Sequence, residues 1–313
     1  MWNAISTISQ VVRMILRALY IKCPLHFTPL LVKSNRSQPL LLCLLPILLG
    51  GILKKQRVIY FSDELSNEFS KAQIKPKKID KSYIYDYNTN FKKFTHFFWY
   101  RVIAFPLAFL YTKIKFGHRI VNQEVLKPYR NTGYFIYGNH TQDIGDAFMP
   151  QMIDKSRDKY VIVHSNNVSI PVLGRITPSL GAIPLPDDLD AYKGFTKIIE
   201  KRIYEKKAII IYPEAHIWPY YTKIRPFVDA SFQYPIKLGA PVFCFTNTYQ
   251  KRRFSKKPKI VTYVDGPFFT DKKLSLKEQR ADLRNQVFSC MESRAALSQI
   301  EWIRYIKKED SDD

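Results

Sequence analysis

Acidic residues are missing from the first 62 positions of this 313-residue chain. Eight Lys or Arg stand there, Asp63 is the first acid, and 41 basic and 27 acidic residues share the chain overall after that point. Cysteine is also scarce. Cys23, Cys43, Cys244 and Cys290 are widely scattered with no C-x-x-C spacing, which argues against a zinc site or a dithiol redox motif and fits a reducing, cytosolic setting. No apolar run reaches the ~20 residues that a comfortable bilayer span requires. Pro39 to Leu53 is broken by Pro46 and Gly50-Gly51, and Phe97 to Ile114 contains Arg101, Pro106 and Lys113. Both segments fit a membrane interface or a core better than a span. A cleavable signal peptide fits poorly, because the first apolar run lies deep in the chain. There is no G-x-S-x-G elbow, no H-E-x-x-H spacing, no nucleic-acid-binding motif, no internal repeat and no low-complexity tract. No metal is expected.

What is present is a basic, apolar chain. Hydrophobic residues make up 46% and aromatics 14%, enough for a real core and incompatible with a disordered polymer. The formal charge of +22 implies an anionic partner: nucleic acid, anionic lipid headgroups or a phosphorylated substrate. At the N-terminus Ile5, Ile8, Val12, Ile15 and Leu19 recur on one helical face, with Arg13 and Arg17 off it. This pattern fits an interfacial helix, a targeting leader, or an overextended translation start. Four segments follow from composition: residues 1–57 as a basic, apolar extension, 58–94 as a linker, 95–270 as the main domain, and 271–313 as a last helix and tail.

Strands and helices alternate through the main domain. Gly133–Gly138, Tyr160–Val163, Ala208–Tyr212, Pro241–Tyr249 and Lys259–Val264 read as strands. Gly145–Ile153, Asp190–Lys206 and Val228–Leu238 read as helices. Ser275 with Glu278 forms a capping-box pattern ahead of Leu283, Val287 and Met291 on one face. The pattern predicts an α/β fold, a sheet covered by helices.

Chemistry concentrates at two strand ends. Tyr134-Phe135-Ile136-Tyr137 runs into Gly138-Asn139-His140, with Asp143 and Asp146 close behind. Histidine is the side chain best suited to accept a proton near neutral pH, and a nearby carboxylate orients its ring and favours the imidazolium. The strand Ala208–Tyr212 likewise runs into Pro213, Glu214 and His216. Two such strand ends point to one site at a sheet edge. A basic run, Lys251-Arg252-Arg253-Phe254-Ser255-Lys256-Lys257, falls between two strands as a hairpin tip. It fits a solvated loop, a contact with anionic headgroups, or steering of a phosphorylated donor.

The order of four blocks resembles the glycerolipid acyltransferase family, whose best-known members are the PlsC-like 1-acyl-sn-glycerol-3-phosphate acyltransferases. The blocks are Asn139-His140 with a following Asp, then Gly181-Ala182-Ile183-Pro184, then Tyr212-Pro213-Glu214, then Gly239-Ala240-Pro241-Val242. The resemblance covers roughly residues 95–268. It implies a mixed sheet covered by helices, with membrane-associated helices at the N-terminus. It implies acyl transfer from acyl-CoA or acyl-ACP to the hydroxyl of a lysophospholipid such as 1-acyl-sn-glycerol-3-phosphate, in phospholipid biosynthesis, with no cofactor. His140 stands as the general base of the family's H-x-x-x-x-D. Position 145 is Gly, so the resemblance favours Asp146, one residue late, as the carboxylate partner, because Asp146-Ala147-Phe148-Met149-Pro150 continues as the family's helix does; Asp143, two early, is the alternative. Leu185-Pro186 stands where the family often places an Arg for the acceptor phosphate, leaving Arg175 as the nearest replacement. The family's F-P-E-G-T-R appears as Tyr212-Pro213-Glu214-Ala215-His216-Ile217. Glu214 is kept on the substrate-binding side, and Lys223 and Arg225 follow as sources of positive charge. The expected partners are membrane lipids at the cytoplasmic face and the acyl carrier, not nucleic acid. Competing readings keep the fold with a different lipid acceptor, or make the chain a non-catalytic basic protein that binds membrane or nucleic acid.

Overall fold

The computed structural model describes residues 56–69, 76–86, 89–171, 173–253 and 255–308. The chain divides into residues 1–57 and 58–313, and the second unit is the one described. The expected N-terminal membrane-associated helices lie outside the described residues. The first described strand, β1 (Arg57–Phe61), pairs with β9 (Ile303–Lys307) in a small two-stranded sheet.

Next comes a long helical stretch: α1 (Asn90–Phe97), a wider π-type segment over Phe98–Ala104, and α2 (Phe105–Phe116). Thr89 caps α1 by accepting from the Lys92 N–H, and Gly117 in the left-handed region ends α2. Tyr100, Ala108, Tyr111 and Phe116 face inward, whereas Phe91, Phe94, Phe97, Val102, Phe109, Leu110 and Ile114 are exposed. Among the described residues no helix is long and apolar enough to cross a membrane.

The main sheet has seven strands. In chain order they are β2 (Arg119–Val121), β3 (Tyr134–Gly138), β4 (Lys159–Val163), β5 (Ala182–Pro184), β6 (Ala208–Ile211), β7 (Val242–Arg252) and β8 (Ser255–Phe268). Their spatial order is β2-β8-β7-β3-β6-β4-β5. β3 runs parallel to both neighbours, β6 and β7, while β7 and β8 form an antiparallel hairpin. The helices between them are α3 (Gly145–Ile153), the single turn α4 (Asn166–Ser169), α5 (Leu189–Tyr204), α6 (Gln233–Leu238) and, after the sheet, α7 (Leu276–Ala295). A mixed sheet with helices on both faces is the α/β fold expected from the alternating pattern.

Alternate residues of the central strands explain why those strands are apolar throughout. Phe135, Tyr137, Ile209 and Ile211 pack with Phe195, Ile198, Ile199 and Ile203 of α5 and with Leu283, Val287 and Met291 of α7. Tyr134, Ile136, Ala208 and Ile210 face the other way, onto Ile153 of α3 and Leu126 of a 3-10 helix over Gln123–Tyr129. The packing is close enough that a Cβ at Gly133 would lie 2.2 Å from the Ile203 carbonyl oxygen. The Ser275–Glu278 capping box forms as the sequence predicts.

Candidate functional site

β3 and β6 are parallel neighbours, with Tyr134–Tyr137 in register with Ala208–Ile211. The residues that follow them therefore emerge side by side at the carboxyl edge of the sheet, where open α/β folds place their ligands. His140 leaves β3 and Glu214 leaves β6. The chain after Glu214 then pairs with the chain after β3. Trp218 donates its N–H to the His140 carbonyl (3.1 Å), and Tyr220 donates to the Thr141 carbonyl (2.9 Å).

His140 Nδ1 lies 2.8 Å from Asp146 Oδ2. In the neutral ring, a carboxylate at this position places the proton on Nδ1 and leaves the lone pair on Nε2. Asp146 sits in the first turn of α3 and is 2% exposed, and its Oδ2 also accepts the Gln142 N–H (2.8 Å). Burial pushes the Asp146 carboxyl above its ordinary value, against the opposing pull of the His140 hydrogen bond and charge. The two sequence alternatives thus separate: Asp146 holds His140, and Asp143 is exposed on the turn that leads into α3.

Tyr212 fixes the other side of the imidazole. Its ring stacks on His140 with centroids 4.4 Å apart and planes within 17°. Its hydroxyl donates to the Asp146 carbonyl (2.5 Å), and burial raises its pKa well above the ordinary tyrosine value. Tyr212 was legible only as the first residue of the third block, not as a packing partner of the histidine. Asn139 was visible too, but without a job. Its amide donates to the Asn247 carbonyl (3.1 Å) and accepts the Asn247 N–H (2.8 Å), extending the β3–β7 ladder through a side chain. Tyr249, Thr141 and Gln142 complete the buried network beneath. The Tyr249 hydroxyl donates to Thr141 Oγ1 (2.7 Å) and receives the Gln142 amide (3.1 Å). Nothing in sequence spacing joins Tyr249 to residues over a hundred positions earlier; only the β3–β7 pairing does.

Glu214 and Arg225 occupy places that the sequence does not predict. Expected to bind substrate, the two side chains are 0% and 1% exposed. Glu214 Oε2 accepts the His140 N–H (2.9 Å) and Oε1 accepts the Arg225 N–H (2.9 Å). The Arg225 guanidinium lies 3.5 Å from Glu214 and donates to the carbonyls of Glu64 (3.2 Å), Glu214 (3.2 Å) and His216. It also stacks 5.0 Å above the Trp218 ring. Both terminal nitrogens of this cation are thus engaged by protein, and its Nε is buried without a partner. The pair is a buried strut that holds the His140 backbone, not a surface offered to a phosphate.

Arg175 and Lys223 are exposed, and no hydrogen bond or ion pair among the described residues joins either to the His140 cluster. Ala215, standing where the resembling block has Gly, adopts φ +62°. His216 Nδ1 approaches Glu68 Oε2 (3.2 Å) at the surface. For metals, Cys244, Asp265 and Cys290 place one ligand atom each within 4.8 Å of one another. Arg294 already donates to both Asp265 oxygens (2.9 and 2.6 Å), so that carboxylate is neutralised by a guanidinium.

Comparison with known proteins gives three findings. Residues 118–246 match the family described as Acyltransferase. No curated protein matches the chain. Among solved structures, the 1-acyl-sn-glycerophosphate (LPA) acyltransferase PlsC from Thermotoga maritima is similar at 15% identity and a TM-score of 0.43, over 66% of this chain and 78% of that one.

Proposed function

We propose, on the match of residues 118–246 to the family described as Acyltransferase, that this chain moves a fatty acyl group from an acyl thioester, acyl-CoA or acyl-ACP, to the free hydroxyl of a lysophospholipid such as 1-acyl-sn-glycerol-3-phosphate. The observation that carries the reading is the His140–Asp146 contact at 2.8 Å, held at the carboxyl end of the central strands. In the proposed reaction His140 Nε2 takes the proton of the acceptor hydroxyl as its oxygen attacks the thioester carbonyl. Asp146 keeps the proton on Nδ1 and steadies the imidazolium that forms. The C–O bond closes, the C–S bond breaks, and the imidazolium returns its proton to the departing thiolate. General-base assistance of this kind contributes about 10²–10⁴-fold.

Arg175 and Lys223 remain as exposed cations for the acceptor phosphate, since Arg225 is buried against Glu214. The charge of +22 and the exposed Phe91, Phe94, Phe97, Leu110 and Ile114 support work at the cytoplasmic face of an anionic membrane. Burial of Arg225, with Ile217 in place of the third block's Arg, also supports a second reading in which the acceptor is a different lysolipid. A purely nucleic-acid-binding role leaves the His140–Asp146 pair without work. Incubating the protein with long-chain acyl-CoA, or acyl-ACP, and lysophosphatidic acid should yield phosphatidic acid by mass spectrometry. Lack of ester formation with either donor across a panel of lysolipids would sink the proposal, and ester on another lysolipid alone would move it to the second reading.

A further inference from the structure

A cavity of about 490 Å³ opens at the far end of α3 from the histidine, between α2, the start of β2 and the 3-10 helix over Gln123–Tyr129. Asp146, in the first turn of α3, holds His140. Met152 and Ile153, in its last turn, form part of the cavity wall. Seven residues of helix separate the two ends by about 10 Å. The volume is within the range of small-molecule sites, which run roughly 300–1,000 Å³.

Its lining is unusual in charge. Lys113, Arg119, Lys127, Arg130 and Lys155 line the cavity, and all five are exposed to solvent. The single acid in the lining, Asp154, is already paired with Arg157 (2.8 Å). Among the described residues none of the five cations lies within ion-pair distance of a carboxylate. Lys155 instead rests 5.0 Å above the ring of Phe109. The buried part of the lining is Leu126, Met152 and Ile153 with His118, whose Nε2 is paired with Thr262 Oγ1 (2.7 Å). On α2, which supplies Phe109 and Lys113 to the wall, Leu110 and Ile114 are exposed. Five cations in the wall, of which Lys113 also donates to the His118 carbonyl (3.0 Å), together with buried apolar side chains, match a phosphate attached to a carbon skeleton and not a bare apolar ligand.

We propose that this cavity is a binding site for a phosphate-bearing ligand, separate from the His140 site, and that the ligand is the headgroup of an anionic phospholipid. A soluble polyphosphate shares the chemistry and is the other source of it. The inference does not rest on acyl transfer, and binding is measured without an acyl donor, so its failure leaves the proposed reaction untouched.

The test uses the full chain and its Lys127→Glu/Arg130→Glu variant. Co-sedimentation is measured with phosphatidylcholine vesicles, with and without phosphatidic acid, and inorganic pyrophosphate binding by calorimetry. A hairpin variant, Lys256→Glu/Lys257→Glu, carries the same change in net charge elsewhere. Where the first variant fails to fold, Lys127→Gln/Arg130→Gln replaces it. Expected is a loss of affinity for phosphatidic acid vesicles of about tenfold or more in the cavity variant, since each basic group near an anionic surface contributes severalfold, and a smaller loss in the hairpin variant. Loss of pyrophosphate binding with vesicle binding intact would keep the site and assign it to a soluble phosphate. Equal losses in the cavity and hairpin variants, no change in either ligand, or no binding by the wild type would overturn the proposal.

Discussion

Glu214→Gln separates a strut from a substrate contact. The two carboxylate oxygens accept two different backbone N–H groups, Oε2 from His140 and Oε1 from Arg225. An amide has one acceptor oxygen. Whichever way it turns, its NH₂ faces an N–H donor and one of the two bonds is lost. The Arg225 guanidinium, 1% exposed, loses its buried counter-charge as well. Removing one partner of a buried ion pair costs about 3–5 kcal/mol, and the retained acceptor puts this variant near the lower end, about 3 kcal/mol. At roughly 2–4 °C per kcal/mol for a domain of this size, the melting temperature should fall by about 6–12 °C. In an acyl-transfer assay run below that temperature, kcat should fall as the His140 backbone loosens, while KM for the acceptor stays nearly constant. The checks are a thermal melt by circular dichroism and a saturation curve in acceptor. An unchanged melt combined with a raised acceptor KM would refute the strut and return Glu214 to the substrate.

Three further outcomes follow from the same geometry. Asp146→Asn keeps the two bonds that the Gln142 N–H and His140 Nδ1 make to one oxygen, so transfer activity should drop about 10²–10⁴-fold, while its NH₂, placed where Oδ1 is buried without a partner, should cost about 1–3 kcal/mol of stability. The pH dependence follows from the raised pKa: the folded carboxyl gives up its proton less readily than the unfolded one, so wild-type stability is lost as pH rises past the ordinary carboxylate range near 4, and the Asn variant lacks that loss. Comparing the two by urea melts across pH checks this. Ala215→Gly should stabilise by up to about 1 kcal/mol, since φ +62° favours glycine and the gain is reduced by the greater unfolded-state entropy of Gly; chemical denaturation measures it. Arg175→Ala and Lys223→Ala should leave the melting temperature within about 1–2 °C, since both are exposed, and should raise KM for a phosphate-bearing acceptor while sparing kcat.

The parts of the fold that the sequence makes legible are those whose own pattern carries the information. Tyr134–Tyr137 and Ala208–Ile211 are buried on both faces, so their apolar runs declare them. The last helix announces itself through Ser275, Glu278 and a four-residue apolar repeat. Short strands did not. Arg119–Val121 and Ala182–Pro184 are three residues each, and their pairing is set by β8 and β4, not by any pattern of their own. The helix expected over Val228–Leu238 starts as a 3-10 turn at Ala230 and becomes α-helical at Gln233, with Pro235 in its first turns, where a missing N–H costs nothing. The hairpin strands run past the expected ends, because β7 and β8 pair with each other beyond the sheet through a charged tip. Residues 63–69 are polar and read as linker, yet the carbonyls of Glu64 and Asn67 and the carboxylate of Glu68 dock on Arg225, Trp218 and Ile217. Hydropathy does not register a segment that docks through backbone carbonyls. At the site, spacing alone left Asp143 and Asp146 open, and the helical turn that brings Asp146 back under His140 decides between them. Charge pattern cannot tell whether Glu214 meets a ligand or two backbone N–H groups; only the adjacency of β3 and β6 does.

The most direct test of the central claim compares wild type with His140→Ala for acyl transfer from a long-chain acyl thioester to lysophosphatidic acid. A thermal melt should show both proteins folded. The account predicts ester formation by the wild type and a loss of about 10²–10⁴-fold or more in the variant. Equal activity in the two would contradict it, because the dyad at the strand ends would then have no part in the chemistry.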